Sequence, residues 1–315
     1  MHMGARNCSS HTRDEAQFTL ADQERLSQLH QSFYHFSATK PQSLPSLLSD
    51  DFKFWNLGPA GAPCCGHWEG STSYLQKYII GTVAKKMTIS SQEVKETYSI
   101  RNAMISVVEV SFSAKDPKSV WSKESFSMVS VQLFNFIGGS IDRIFEIWAD
   151  FPQDSIKLPW KMALKYQISK PLAIPKKKDI LSNLEKMNVA RATKGHDGIK
   201  PFYEDTTYLF LYGPSFWNIS LASRGYTALK RMITINFAKT FEIIEEKSRV
   251  VYVEENVSFE FISARAKSLK EGCPFEGREY SHYHFRQLFW DGAKIQKSVE
   301  IIAAQPLDSI PTPFV

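Results

Sequence analysis

Apolar residues recur at steps of three and four through Leu26, Leu29, Phe33 and Phe36, the spacing that gives a helix one buried face. Thr19 ahead of Leu20-Ala21-Asp22 supplies a polar start with an acid in the first turn. Pro41 and Pro45 then break or restart the helix. Residues 52–55 read as a short strand, 58–63 as a loop, and a second helix begins near Gly70 with Leu75, Tyr78 and Ile79 on one side. The pattern turns β-rich over 88–98, 103–114, 122–136 and 140–150, with Gly138-Gly139 as the last hairpin turn. Four prolines punctuate 151–176, where Trp160, Leu164 and Tyr166 suit a braced connector. The order then restarts: a helix marked by Ile180, Leu184 and Met187, a strand at 205–212, a helix at 225–233, and strands at 241–246, 249–264, 279–290 and 293–303.

One offset links the two halves. Leu26 and Ile180, Asp51 and Asp205, Leu75 and Leu229, Gly138 and Gly292, and Glu146 and Glu300 all lie 154 positions apart. Agreement across helix, turn and strand positions predicts two copies of one unit. The division is an extension at 1–19, a first unit at 20–150, a proline-rich connector at 151–176, a second unit at 177–303 and a tail at 304–315. Helices followed by runs of strands make each unit α+β.

Composition narrows the class. With 315 residues, 43% hydrophobic and 23% charged, the chain has material for folded cores. No apolar run reaches the ~20 residues of a membrane span, and 1–15 lacks a signal-peptide core. Cys8, Cys64, Cys65 and Cys273 are too few for a disulfide scaffold and lack zinc spacing. The expected setting is reducing and cytoplasmic. A net charge of +5, with no zinc finger or paired aromatic RNA motif, disfavours nucleic acid as a partner.

Asp50-Asp51-Phe52, Gly66-His67-Trp68-Glu69-Gly70 and 134–147 in the first copy carry a resemblance, as do Glu204-Asp205, 224–229 and 291–295 in the second. In this order they resemble the SnoaL-like branch of the NTF2-like superfamily. The resemblance implies two cone-shaped units, each a strongly bent, mainly antiparallel sheet wrapped around N-terminal helices. It also implies a small hydrophobic ligand, leaves a protein partner open, and suggests that the two copies form an internal pseudo-dimer in a monomeric or weakly homodimeric chain. Members include isomerases, cyclases and dehydratases as well as noncatalytic binders, so fold alone leaves function open.

Two residue sets suit chemistry. In the second unit Tyr280, His282, His284, Arg286 and Leu288 share one strand face, while Tyr283, Phe285, Gln287 and Phe289 share the other. His282 and His284 suit a general base and a positioning donor. Tyr280 and Arg286 suit substrate binding, and Glu300 on the next strand suits orienting a histidine. The plainer alternative is a solvated face or an interunit surface. The neighbouring run offers Val251, Val253, Val257, Phe259 and Phe261 as an apolar face opposite Tyr252, Glu254, Asn256, Ser258 and Glu260.

In the first unit Asp51 is the preferred acid, with capping or ion pairing as its alternative. Trp55, His67, Trp68 and Tyr74 are binding candidates, with Trp121, Glu124, Trp148 and Asp150 as further polar and aromatic material. No dinucleotide or phosphate loop occurs; His282 and His284 could share a metal only with a nearby third ligand, for which Glu300 is a hypothetical candidate, so no cofactor or metal is implied. The reading is a cofactor-independent enzyme acting on a small hydrophobic carbonyl or polyketide-like compound by proton transfer, cyclisation or dehydration. The alternative is a noncatalytic binding or interaction module.

Overall fold

The computed structural model describes residues 20–122, 126–152, 174–217, 219–231 and 237–313. Glu124 and the connector residues Trp160, Leu164 and Tyr166 lie outside the described residues. The first unit opens with a helix, Leu20–Thr39, that ends before the 3₁₀ turn Pro41–Leu47. Strands β1 (Leu48–Leu57) and β2 (Gly66–Glu69) follow. A helical turn, Ser71–Ser73, runs into a π-helical segment, Tyr74–Ala84. Strands β3 (Met87–Ile100), β4 (Ala103–Ala114), β5 (Phe126–Ile137) and β6 (Ser140–Pro152) complete the unit.

The second unit repeats this order. Helix Lys177–Ile199 precedes β7 (Tyr203–Tyr212) and β8 (Leu221–Arg224). Helix Tyr226–Arg231 leads to β9 (Phe241–Glu254), β10 (Val257–Ser268), β11 (Glu279–Asp291) and β12 (Lys294–Pro306). The sheet orders are β2-β1-β6-β5-β4-β3 and β8-β7-β12-β11-β10-β9. Among the pairings of the described strands, only β1–β6 and β7–β12 are parallel. The fold class is thus the expected α+β pair of mainly antiparallel sheets.

Each sheet is covered on both faces over its central strands, while the edge strands β3 and β9 are largely exposed. One face packs under its own unit's helices: Leu26 and Phe33 meet Phe134 and Ile144 in the first unit, and Ile180 and Leu184 meet Leu288 and Ile302 in the second. The other faces pack on each other, joining Val129, Val131 and Phe145 to Phe259, Phe261 and Phe285 in one core. Ring contacts and side-chain hydrogen bonds cross between the two units. Tyr98 of β3 lies 4.8 Å from Phe259, and Phe145 of β6 lies 5.5 Å from Phe261, ring centre to ring centre. Asp150 accepts a 2.9 Å bond from the Ser215 hydroxyl, while Gln305 donates to the Gly58 carbonyl at 2.7 Å. The two sheets thus pack face to face within one chain. No described helix is long and apolar enough to cross a membrane.

Two details correct the sequence reading. Residues 249–264 are not one strand: Glu255 takes a left-handed φ of 47° and reverses the chain, and Asn256 Nδ2 ties the turn to the Trp290 carbonyl at 3.0 Å. The valine–phenylalanine run therefore divides, with Val253 on the helix side and Val257, Phe259 and Phe261 in the intersheet core. The 154 offset holds across β4–β6 and β10–β12, where Ser106 faces Gln132 as Glu260 faces Arg286. It becomes 155 in β1 and β7, where Phe54 pairs with Ile144 and Leu209 with Ser298. Leu75 and Leu229 are both buried, but the counterpart of Leu229 is Tyr74, each donating its N–H to the glycine carbonyl that starts the turn.

Candidate functional site

Strand alternation sends Glu146 of β6 under the first unit's helices, opposite Gln132 of β5 and beside Asn56 of the parallel β1. Glu146 is 3% exposed. Asn56 Nδ2 donates to Oε2 at 2.7 Å, while the Ser130 hydroxyl and Gln132 Nε2 donate to Oε1 at 2.5 and 2.9 Å. Asn56 is itself held: Trp148 Nε1 donates to its Oδ1 at 2.7 Å, and its Nδ2 also reaches the Tyr78 hydroxyl at 3.0 Å. From the first helix Tyr34 donates to Gln132, and His30 Nε2 lies 2.6 Å from the Ser106 hydroxyl. Burial raises the Glu146 carboxyl above the ordinary glutamate range, outweighing its three neutral donors. Burial also lowers His30 to about 4, so the imidazole beside this network is neutral near pH 7.

The second unit keeps the carboxylate and changes its company. Glu300 occupies the position of Glu146, and His284 Nε2 sits 2.9 Å from its Oε2. The Ser298 hydroxyl donates to Oε1 at 3.1 Å. Two strands over, on β10, fully buried Glu260 is clamped by two guanidinium groups: Arg286 Nε donates to Oε2 and Arg249 to Oε1, each at 2.5 Å. Burial alone would raise both carboxyls. The Arg286 and Arg249 charges instead hold Glu260 below the ordinary range, and the His284 hydrogen bond, His284 charge and Arg286 charge bring Glu300 to about 2. His282 is 2% exposed, with the Tyr280 hydroxyl 3.1 Å from Nδ1, and burial pushes it well below the usual histidine range.

The structure brings Tyr280, His282, His284, Arg286 and Glu300 together inside the second unit, which excludes a solvated face and an interunit surface. Arg286 and His284 are engaged by carboxylates there. The first-unit candidates divide. Asp51 is exposed on β1. Trp55 belongs to the intersheet core, with His67 tilted against it at 4.6 Å. Trp68 and Tyr74 lie on the helix side, where Tyr78 is 4.6 Å from Trp68 and 5.4 Å from Tyr74. Trp148 joins the network through Asn56, whereas Trp121 donates to Asp150 at 2.7 Å near the unit boundary.

Sequence reasoning passed over Asn56 and Tyr34, took Tyr78 only as part of a helix face and Ser130 and Gln132 only as the counterparts of His284 and Arg286, and used Glu146 only as a register mark. The available signal was Ser130, Gln132 and Glu146 set inside otherwise apolar strands.

Two surface clefts occupy related places on the units. One, of about 620 Å³, is lined by Asp50, Glu69 and Lys77; the other, of about 710 Å³, by Glu204, Asp205 and Tyr226. Neither is lined by the Glu146 network. Among the described residues, no group of three or more His, Cys, Asp and Glu is placed to hold a metal ion.

No family model matches the sequence, and no curated protein matches it. Solved structures do. An NTF2-like protein from Burkholderia xenovorans is 16% identical over 40% of this chain and 90% of that one, with a TM-score of 0.33. An NTF2-like protein from Cytophaga hutchinsonii is 18% identical over 43% and 94%, with a TM-score of 0.27. An M. tuberculosis LEH-like epoxide hydrolase is 8% identical over 40% and 84%, with a TM-score of 0.32. The two units share one element order and one sheet topology, the tandem α+β arrangement expected from the sequence.

Proposed function

We propose that the first unit is a cofactor-independent acid/base site in which Glu146 moves a proton on a small hydrophobic carbonyl compound, while the second unit's interior is a paired-charge core. The observation that carries this reading is the company of Glu146: a buried carboxyl held by three neutral donors, with its pKa raised. Raising a carboxyl toward neutrality makes it a stronger base when ionised and lets one group take and return a proton. Glu300, held at about 2 beside His284, is a weak base.

The Tyr78 hydroxyl accepts from Asn56, leaving its own proton for a substrate oxygen that becomes negative as the α-proton leaves. Phe54, Trp68, Tyr74 and Tyr78 form the apolar wall. Entry requires outward displacement of Tyr74–Ala84, whose later residues Ile80, Gly81 and Thr82 are exposed or half-buried.

The test is deuterium exchange at the α-carbon of 3-cyclohexenone in D₂O, followed by proton NMR. The wild type should accelerate exchange and isomerisation, and Glu146→Gln should slow the catalysed rate by about 10²–10⁴-fold. Exchange at the buffer rate in both proteins contradicts the acid/base reading; binding without exchange would point to a noncatalytic ligand module.

A further inference from the structure

The first helix reaches the Glu146 carboxyl through a single intermediary. Tyr34 donates its hydroxyl proton to Gln132 Oε1, and Gln132 Nε2 donates to Glu146 Oε1 at 2.9 Å. A glutamine amide has an acceptor end and a donor end, so turning it over reverses what it offers a neighbour. The same three positions recur 154 residues on. Asn188 of the second unit's helix accepts from Arg286 at 3.2 Å, and Arg286 faces Glu300 across the β11–β12 ladder. There the middle residue is a guanidinium, which only donates and has no orientation to choose. In the first unit the orientation is a choice.

We propose that Tyr34 is a positioning residue of the Glu146 site: by donating to Oε1 it fixes the Gln132 amide with Nε2 toward the carboxylate. The proposal rests on the acid/base reading only for its effect on turnover, because the orientation can be tested on the carboxyl itself. Ionised Glu146 needs donors, and the fixed amide supplies one. Protonated Glu146 needs an acceptor for its own proton. A turned amide would offer Oε1, but Tyr34 holds that oxygen away. Tyr34 therefore favours the ionised, basic form of Glu146.

The groups facing this carboxyl are consistent with so fine a control. Tyr34 and His30 come from the first helix, Tyr74 and Tyr78 from the π-helical segment, and Cys64 from the β1–β2 loop. Asn56, Ser130, Gln132 and Trp148 come from the strands. Burial keeps His30 neutral near pH 7 and the tyrosines and Cys64 protonated, so hydrogen-bond direction, not a neighbouring cation, is the available lever.

The experiment is a ¹³C carboxyl NMR titration of the full chain, with Glu146→Gln assigning the signal. Tyr34→Phe removes one oxygen and keeps the ring. It should raise the Glu146 midpoint by about one unit, a tenfold change in proton affinity, and move the Gln132 side-chain amide signals. Gln132→Met removes the intermediary, and in that background Tyr34→Phe should leave the midpoint where it is. An unchanged or lowered midpoint in Tyr34→Phe alone overturns the proposal, as does an equal shift with and without Gln132. A midpoint that moves as expected in a protein that exchanges no ketone would sink the acid/base reading and leave the positioning role standing.

Discussion

Arg286→Ala should cost about 3–5 kcal/mol of stability, the range for removing one partner from a buried ion pair. Arg286 is 4% exposed and Glu260 is fully buried. The guanidinium satisfies Oε2 of Glu260, while Arg249 at 2.5 Å and Asn188 Nδ2 at 3.5 Å donate to Oε1. Its loss strands a charge where water does not replace the missing donors. It also withdraws a positive charge that helps hold Glu300 ionised. Urea denaturation measures the cost. The control is a double replacement, Arg286→Met with Glu260→Gln, which removes both charges and should cost less than the single change. A single-variant cost below about 1 kcal/mol, the level of an exposed pair, would mean that the cluster is hydrated and that the second unit's core is not built on it.

Phe261→Ala should cost a similar amount, about 3–5 kcal/mol, for a different reason. The ring is fully buried between the two sheets, 5.5 Å from Phe145 of the other unit and 5.1 Å from Phe285 on its own sheet. Removing it leaves a cavity in the core that joins the units rather than in either unit's helix-side core. The units should therefore lose mutual support, and denaturation followed by probes in each unit should separate into two transitions. A single unshifted transition would show that the intersheet core contributes little to holding the halves together.

Much of the architecture was legible because period and punctuation agreed. Ala103–Ala114 matches its strand at both ends. The glycine hairpins at Gly138-Gly139 and Gly292 take positive φ as a tight turn requires. The β9–β10 turn was hidden because its reversal rests on Glu255 in a left-handed conformation, with no glycine or proline to mark it. The one-residue drift between β1 and β7 was hidden for a related reason: paired acids stand at Asp50-Asp51 and Glu204-Asp205, so either register looks matched.

The candidate site was legible in part. The Tyr280–Arg286 row stands out because polar residues alternate with aromatics, and Glu300 of the adjacent strand lies 2.9 Å from His284 Nε2. The first unit's network was obscured because Asn56 on β1 lies far in sequence from Ser130, Gln132 and Glu146 on the β5–β6 hairpin. Only sheet order β1-β6-β5 brings them side by side. The exposed aspartates and the loop histidine drew attention because they are chemically conspicuous, whereas a single glutamate in an apolar strand is not.

One fold position should carry a carboxyl in two opposite states, and a site-resolved titration of Glu146 and Glu300 in the same protein is the deciding measurement. The Glu146 midpoint should lie above the ordinary glutamate value of 4.5, and that of Glu300 near 2. The signs for stability are opposite. The raised Glu146 favours folding below about 4.5 and loses that contribution as pH rises through its folded midpoint; the lowered Glu300 contributes above about 4.5 and loses it as pH falls toward 2. Midpoints separated in that order support the division of labour between the units. A Glu146 midpoint at or below 4.5, or coincident titration of the two carboxyls, would contradict it.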